Sequence, residues 1–329
     1  MRIRIVGTGR ALPENSVPST AIDAEVGLAA GSLQAATGVA ERYVCDGESQ
    51  IDLALAACRN ALSDGGVDPS EVGLIVSGSS VPYQPLPATA PLVMGALGIA
   101  DGRAAAFDVN STCLGFLTAF EVAARQIEGG QSDMALVFCA DIASRALPFD
   151  DDPETAALFG DGAAAAVIRR AKAGRCRVRA TLMRTYPSAY ECCSIGSGGT
   201  RFDFRHESED FARHAVFRMD GKKLFRMSSL HFKDFVTDLL DAAGWTRESV
   251  DLVVPHQASP FALAHMAKQV GFEPERLVDI TETHGNQVAA SIPFALDLAR
   301  REGRIRPGSR VLFLGTSAGV SFGGMALET

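Results

Sequence analysis

Residues 61–77 read ALSDGGVDPSEVGLIVS, and residues 239–255 read LLDAAGWTRESVDLVVP. Laid one over the other, Gly66, Val72, Leu74 and Val76 of the first stretch match Gly244, Val250, Leu252 and Val254 of the second. Each stretch is a helix end, a glycine stop, a polar turn and an apolar strand. Further along, ALGI at 96–99 precedes FDVN at 107–110, and QVGF at 269–272 precedes VDIT at 278–281. Two helix–turn–strand units in the same order point to a duplicated chain.

Working outward from these units, strand-like runs alternate with helix-like ones, the pattern of an α/β protein. The strand candidates are 74–76, 104–109, 135–139, 163–168, 252–254 and 311–314, and the helices 51–62, 115–127, 227–243, 261–270 and 292–301. An N-terminal half (1–170) and a C-terminal half (221–329) are thus expected. Residues 171–220, polar and glycine-bearing, read as an irregular connecting or inserted region whose Phe202, Phe204, Phe211 and Phe217 call for burial.

A chain of 329 residues, 47% hydrophobic and 21% charged, is long enough to bury a large core. Its formal charge of −8 argues against nucleic acid, which is gripped by clustered Lys and Arg. The opening MRIRIVG alternates basic and apolar residues as a strand does; it lacks the apolar core of a signal peptide, and no run is long enough to span a membrane. Seven scattered cysteines, without CxxC spacing, do not make a disulfide framework, so a reducing cytoplasmic setting is expected.

Residues 107–128 read FDVNSTCLGFLTAFEVAARQIE. An apolar strand ends near Asn110, and a helix is expected to begin around Cys113. A thiol there would face free N–H groups and the positive end of the helix dipole, which favour the thiolate. Gly115 leaves room for a substrate or another helix to approach. The other cysteines lack such a setting: Cys58, Cys139 and Cys176 read as core or surface, Cys45 has no supporting pattern, and the Cys192–Cys193 pair has no histidines to complete a zinc site.

In DLVVPHQASPF (251–261), His256 follows a buried strand, where α/β enzymes place chemistry. In TETHGNQVAASIPFAL (281–296), Asn286 presents an amide just ahead of a helix, with Gly285 freeing the backbone; Gln257 and His284 read as supporting or structural. LFLGTSAGVSFGG (312–324) is a strand and a small-residue loop, either a plain hairpin turn or a source of backbone N–H groups for an oxyanion.

Together these stretches, with TGVAERY (37–43), STCLGF (111–116), LFGDGAAAAVI (158–168), PHQAS (255–259) and HGNQVAASIPFALDLARREGRIRPGSRVLF (284–313), resemble the ketoacyl-carrier-protein synthase III group of the thiolase superfamily over nearly the full length. The resemblance implies a five-layered αβαβα fold of two duplicated halves and a homodimer. It implies that Cys113 takes an acyl group from a thioester of coenzyme A or acyl carrier protein, with the oxyanion held by the backbone N–H groups of Cys113 and Ala318. His256 and Asn286 would then hold a malonyl thioester while it loses carbon dioxide and attacks the acyl-cysteine. The pathway would be fatty-acid or polyketide synthesis. No metal or further cofactor is implied. Asp161 matches a structural turn. Leu86 falls where the partner subunit helps close the acyl pocket, and Arg226 and Lys268 match basic positions near the carrier entrance.

The chain departs from the pattern in donor recognition. The family commonly carries arginine at the position of Ala36, a tryptophan at that of Ser32, and a further arginine where DDDPETAAL (150–158) is acidic. Their loss would weaken coenzyme A binding by about 2–3 kcal/mol. Besides condensation, therefore, acyl transfer to a hydroxyl or amine, hydrolysis, and a non-catalytic acyl-binding subunit remain open.

Overall fold

The computed structural model describes residues 1–171 and 176–329. Five strands form the first sheet: β1 (Ile3–Ala11), β2 (Leu74–Ser77), β3 (Ala105–Asp108), β4 (Met134–Asp141) and β5 (Gly162–Arg170), in the order β1-β5-β4-β2-β3. Here β2 is parallel to β3 and β4, while β5 is antiparallel to β4 and β1. The second sheet holds β6 (Arg177–Thr185), β7 (Leu252–Pro255), β8 (Arg310–Ser317) and β9 (Ser321–Glu328), in the order β7-β8-β9-β6. β7 is parallel to β8, and β9 is antiparallel to β8 and β6.

The two sheets follow one plan. β7, β8, β9 and β6 repeat the roles of β2, β4, β5 and β1, and a parallel bridge from Val253 to Leu277 stands where β3 pairs with β2. The duplication read from residues 61–77 and 239–255 is therefore present in the topology. Its matched glycines have one cause: Gly66 and Gly244 end helices α1 (Gln50–Gly65) and α3 (Gly221–Ala243) in the left-handed region, at φ 59° and 67°.

Helices α2 (Gly115–Glu128) and α5 (Ser291–Arg301) lie between the sheets. One core joins Leu117 and Phe120 of α2, Phe294 and Ala295 of α5, Val76 and Val137 of the first sheet, and Val254 and Phe313 of the second. Ala57 and Ala61 of α1 pack on Ile75 and Leu136 outside the first sheet. Phe235 and Leu239 of α3, with Ala267 and Val270 of α4 (Pro260–Val270), pack on Leu312 and Phe322 outside the second. Five layers, αβαβα, result. Every residue of β4 is buried, as expected of a strand covered on both faces, so its sequence reads as a run rather than an alternation.

Three expectations are corrected. Residues 171–220 are not wholly irregular, because 177–185 form β6. Its arginines at 177, 179 and 184, paired with Glu328 and Asp238 along a half-exposed edge strand, hide its apolar residues from a composition reading. Phe204 is 62% exposed, with the Arg205 guanidinium over its ring, although Phe217 does pack on Phe159. Gly115 admits neither substrate nor helix: a Cβ there would collide with the carbonyl oxygen of Gly78, so the glycine seats the end of β2 against the start of α2. Among the described residues no helix is long and apolar enough to cross a membrane.

Candidate active site

The site forms where the two halves meet, at the C-terminal ends of β2, β4, β7 and β8. Cys113 lies on a 3-10 turn, Thr112–Leu114, immediately ahead of α2. It does not sit on the helix's first turn, and the expected lowering of its thiol pKa is reversed. Burial and the nearby Asp141 carboxylate push it up to about 12, against an opposing pull from the N–H groups of Ala318 and Cys113. Those two N–H groups face the sulfur. Thr112 is held at φ 48°, costly for a β-branched residue; its N–H donates to Asn110 Oδ1 at 2.8 Å, which fixes the turn.

Asn286 occupies a matching turn. Val288 has φ 52°, its N–H donates to Asn286 Oδ1 at 2.9 Å, a 3-10 turn spans Val288–Ala290, and α5 begins at Ser291. In each half the asparagine stands two positions ahead of the strained residue that opens the 3-10 turn, and a helix follows at once. The nucleophile turn and the asparagine turn are thus the two copies of one duplicated turn. With its carbonyl oxygen taken by Val288, Asn286 is left with its NH2 to offer.

His256 follows β7 and is 5% exposed. Its Nδ1 lies 2.7 Å from Ser291 Oγ, which also lies 2.9 Å from the Val288 carbonyl oxygen. Ser291 has one hydroxyl hydrogen for these two neighbours: given to Nδ1 it leaves the imidazole proton on Nε2, and given to the Val288 carbonyl it leaves Nδ1 as the donor. Burial lowers the His256 pKa to about 4, so the ring is neutral at physiological pH. Gly315 of β8 sits between His256 and the nucleophile turn: a Cβ there would fall 2.9 Å from both His256 Cβ and Leu114 Cδ2. Cysteine, histidine and asparagine turns are therefore neighbours around one strand end.

The remaining residues singled out in the sequence fall elsewhere. Gln257 is fully buried and ties Pro255, Val278 and Ile280 together through its amide. Asp161 accepts from Cys45 N–H and from Ser144. His284 packs between Tyr43 and Phe294. Leu86 is 86% exposed, on the loop that also exposes Val81 and Tyr83. Arg226 on α3 and Lys268 on α4 are exposed on adjacent helices, which touch through Phe225 and His265. Cys193, set aside in the sequence, stands close enough to Cys113 for that thiol to raise its cost of ionising, after burial.

Sequence reasoning missed two residues. Ser291 lay in the AAS run, with nothing to connect it to a histidine in a different motif. Asp141 carried a signal: an acidic residue ends the otherwise apolar strand MALVFCAD, where a buried charge needs a reason.

Thiol, imidazole and carboxamide on a duplicated αβαβα frame are the equipment of the thiolase-like condensing acyltransferases. Residues 107–187 match the family model described as 3-oxoacyl-[acyl-carrier-protein (ACP)] synthase III, and residues 240–329 match its C-terminal model. The chain is 35% identical over 328 residues, 99% of each chain, to beta-ketoacyl-[acyl-carrier-protein] synthase III of Rhizorhabdus wittichii. It superposes with TM-score 0.89 at 30% identity on 3-oxoacyl-[acyl-carrier-protein] synthase III from Aquifex aeolicus, covering 99% of this chain and 100% of the other. The same score, at 26% identity and 99% and 96% coverage, relates it to the priming beta-ketosynthase of the R1128 polyketide pathway. The chain belongs to the 3-oxoacyl-ACP synthase III family, and its fold and activity class are those of a condensing acyltransferase.

Proposed function

We propose that the chain primes β-ketoacyl synthesis through an acyl-enzyme on Cys113. The sulfur attacks an acyl thioester, the new S–C bond forms, and the donor's thiol leaves with the cysteine proton. The tetrahedral oxygen is held by the N–H groups of Cys113 and Ala318. A malonyl thioester on acyl carrier protein then binds with its carbonyl oxygen between His256 Nε2–H and Asn286 Nδ2–H. Carbon dioxide leaves, and the enolate so stabilised attacks the acyl carbon. The Cys113 sulfur leaves as the thiolate and regains its proton from water, with a β-ketoacyl thioester as product.

The observation that carries this reading is the pairing of the two donors. Val288 occupies the Asn286 carbonyl, leaving its amide N–H to give, and in this reading the Ser291 hydroxyl hydrogen goes to His256 Nδ1, leaving Nε2–H as the second donor. A neutral imidazole suits that role, because a cation would hold the malonyl carboxylate instead of letting it depart.

The enzyme acts as a homodimer in this reading. The outer edge of β3 is unpaired among the described residues, and Val81, Tyr83 and Leu86 on a loop and Leu92 on the helix Thr89–Ala96 expose apolar surface. Free edges and apolar patches of this kind are usually covered. Leu86 would reach the partner's acyl pocket, and Arg226 and Lys268, with the exposed Lys222 and Lys223, would meet the acidic carrier. Asp150, Asp151 and Glu154 supply no cation for the phosphates of coenzyme A, which favours a carrier-bound primer. A cytoplasmic location accords with these partners.

The test is incubation with an acyl donor and malonyl-carrier protein. Carbon dioxide released together with a β-ketoacyl-carrier product supports condensation. Acyl transfer to a hydroxyl or amine without carbon dioxide, or free acid alone, contradicts it.

A further inference from the structure

Asp141 ends β4 and is 2% exposed, yet among the described residues it pairs with no cation. Its carboxylate is spent on backbone N–H groups from two directions. Oδ1 accepts from Ser80 at 2.8 Å and Val81 at 3.3 Å, in the loop after β2, and Oδ2 accepts from Ala289 at 3.2 Å. Ala289 lies within the 3-10 turn that follows Asn286, and that turn's Val288 carbonyl lies 2.9 Å from Ser291 Oγ, the atom that also stands 2.7 Å from His256 Nδ1. On the other side, the Ser80 carbonyl accepts from Asn110 Nδ2 at 2.8 Å, and Asn110 Oδ1 holds the Thr112 N–H next to Cys113. One carboxylate thus stands at the junction of the nucleophile turn and the asparagine turn.

The duplication shows that this position is occupied in both halves. Asp141 ends β4 as Ser317 ends β8, its counterpart strand. Cys113 and Ala289 each occupy the middle of the two copied turns. The end of β8 brings the Ala318 N–H to Cys113, and the end of β4 brings the Asp141 carboxylate to Ala289. Each half therefore reaches across to the other's turn. A serine and an alanine suffice in one direction, whereas the other uses a charge.

We propose that Asp141 is a positioning residue, whose carboxylate clamps the Asn286 turn and the Cys113 turn in the register that condensation needs. Resting on the condensation reading above, the proposal has two opposite consequences. The carboxylate holds Asn286 and His256 in place for the malonyl step, and its negative charge works against ionisation of the neighbouring Cys113 thiol. An amide in its place keeps the shape and removes the charge, but sets an NH2 against donors on one side.

The test compares wild type with Asp141→Asn in two measurements. Carbon dioxide release from malonyl-carrier protein should fall by about 100-fold, the effect of misplacing a catalytic group by roughly 1 Å. The pH midpoint for iodoacetamide alkylation of Cys113, followed on its peptide by mass spectrometry, should move down. A general loss of packing would lower the first without moving the second in that direction. Should Asp141→Asn not fold, the exposed Asn110→Ala severs the nucleophile arm alone and should slow Cys113 acylation by about tenfold, half the clamp being lost. Carbon dioxide release within twofold of wild type in Asp141→Asn, an unmoved alkylation midpoint, or acylation of Asn110→Ala at the wild-type rate would overturn the proposal. Wild type that releases no carbon dioxide would instead contradict the condensation reading itself.

Discussion

His256 and Asn286 act on the malonyl step alone in this account, so their removal should separate the two half-reactions. His256→Ala and Asn286→Ala should each reduce carbon dioxide release by about 100- to 1000-fold, the usual effect of deleting one oxyanion donor. Both should still show the acyl mass on Cys113 after mixing with donor. Ser291→Ala frees Nδ1 to take either tautomer and should lower carbon dioxide release by about tenfold without abolishing it. Asp141 gives a pH signature of its own. Burial raises its pKa from 3.8 to about 7, so the folded state keeps a proton that the unfolded state loses. That contribution to stability is fully present below pH 3.8 and is lost as pH rises through about 7, by about 4 kcal/mol in all at 1.36 kcal/mol per pKa unit. His256 works in the other sense, since its lowered pKa removes stability as pH falls from 6.5 towards about 4. The melting temperature of wild type, taken relative to Asp141→Asn, should therefore drop between pH 5 and pH 8, and a constant difference would refute the assignment. The catalytic candidates were legible at this scale because Cys113 and His256 stood beside a strand end and a glycine or proline, and Asn286 beside a glycine just ahead of a helix. The thiol's acidity was not, because it depends first on burial and then on Asp141, which lies beyond the whole of α2 in sequence and is brought near only by the fold.

At the scale of elements, the structure turns on close approaches that a side chain would block. Gly115→Ala would force a Cβ onto the Gly78 carbonyl and separate β2 from α2. A loss of about 3 kcal/mol is expected, read as a shift in the urea midpoint. Most elements were readable from pattern. The strand candidate 74–76 is observed as Leu74–Ser77, and the helix candidate 115–127 as Gly115–Glu128. α3 starts at Gly221, ahead of the expected 227, because Asp220 caps it by accepting from Lys223 N–H, while in its first turns only Leu224 packs on the core among exposed neighbours. β6 escaped for the opposite reason: an edge strand carries arginines that pair with Glu328 and Asp238, so its alternation is masked by charge. The two active-site turns share only their asparagine between NSTCLG (110–115) and NQVAAS (286–291), which left their common origin invisible before the backbone was known.

For the whole molecule, the duplicated plan explains why the chemistry sits between halves. Each sheet delivers strand ends to the seam between α2 and α5, and neither half carries thiol, imidazole and carboxamide together. The free edge of β3 and the exposed Leu86 extend the same logic to a second copy. Light scattering should give twice the chain mass, and Leu86→Asp should lower the dimer fraction or the acylation rate. A monomeric wild type with full activity would remove the partner from the account.

The central claim, that Cys113 is the residue that carries the acyl group, is tested most directly by intact-protein mass spectrometry after mixing with an acyl-carrier donor. The account predicts one added acyl mass on wild type, discharged when malonyl-carrier protein is supplied, and none on Cys113→Ala. An acyl mass on Cys113→Ala, or an acylated wild type that malonyl-carrier protein fails to discharge, would contradict it.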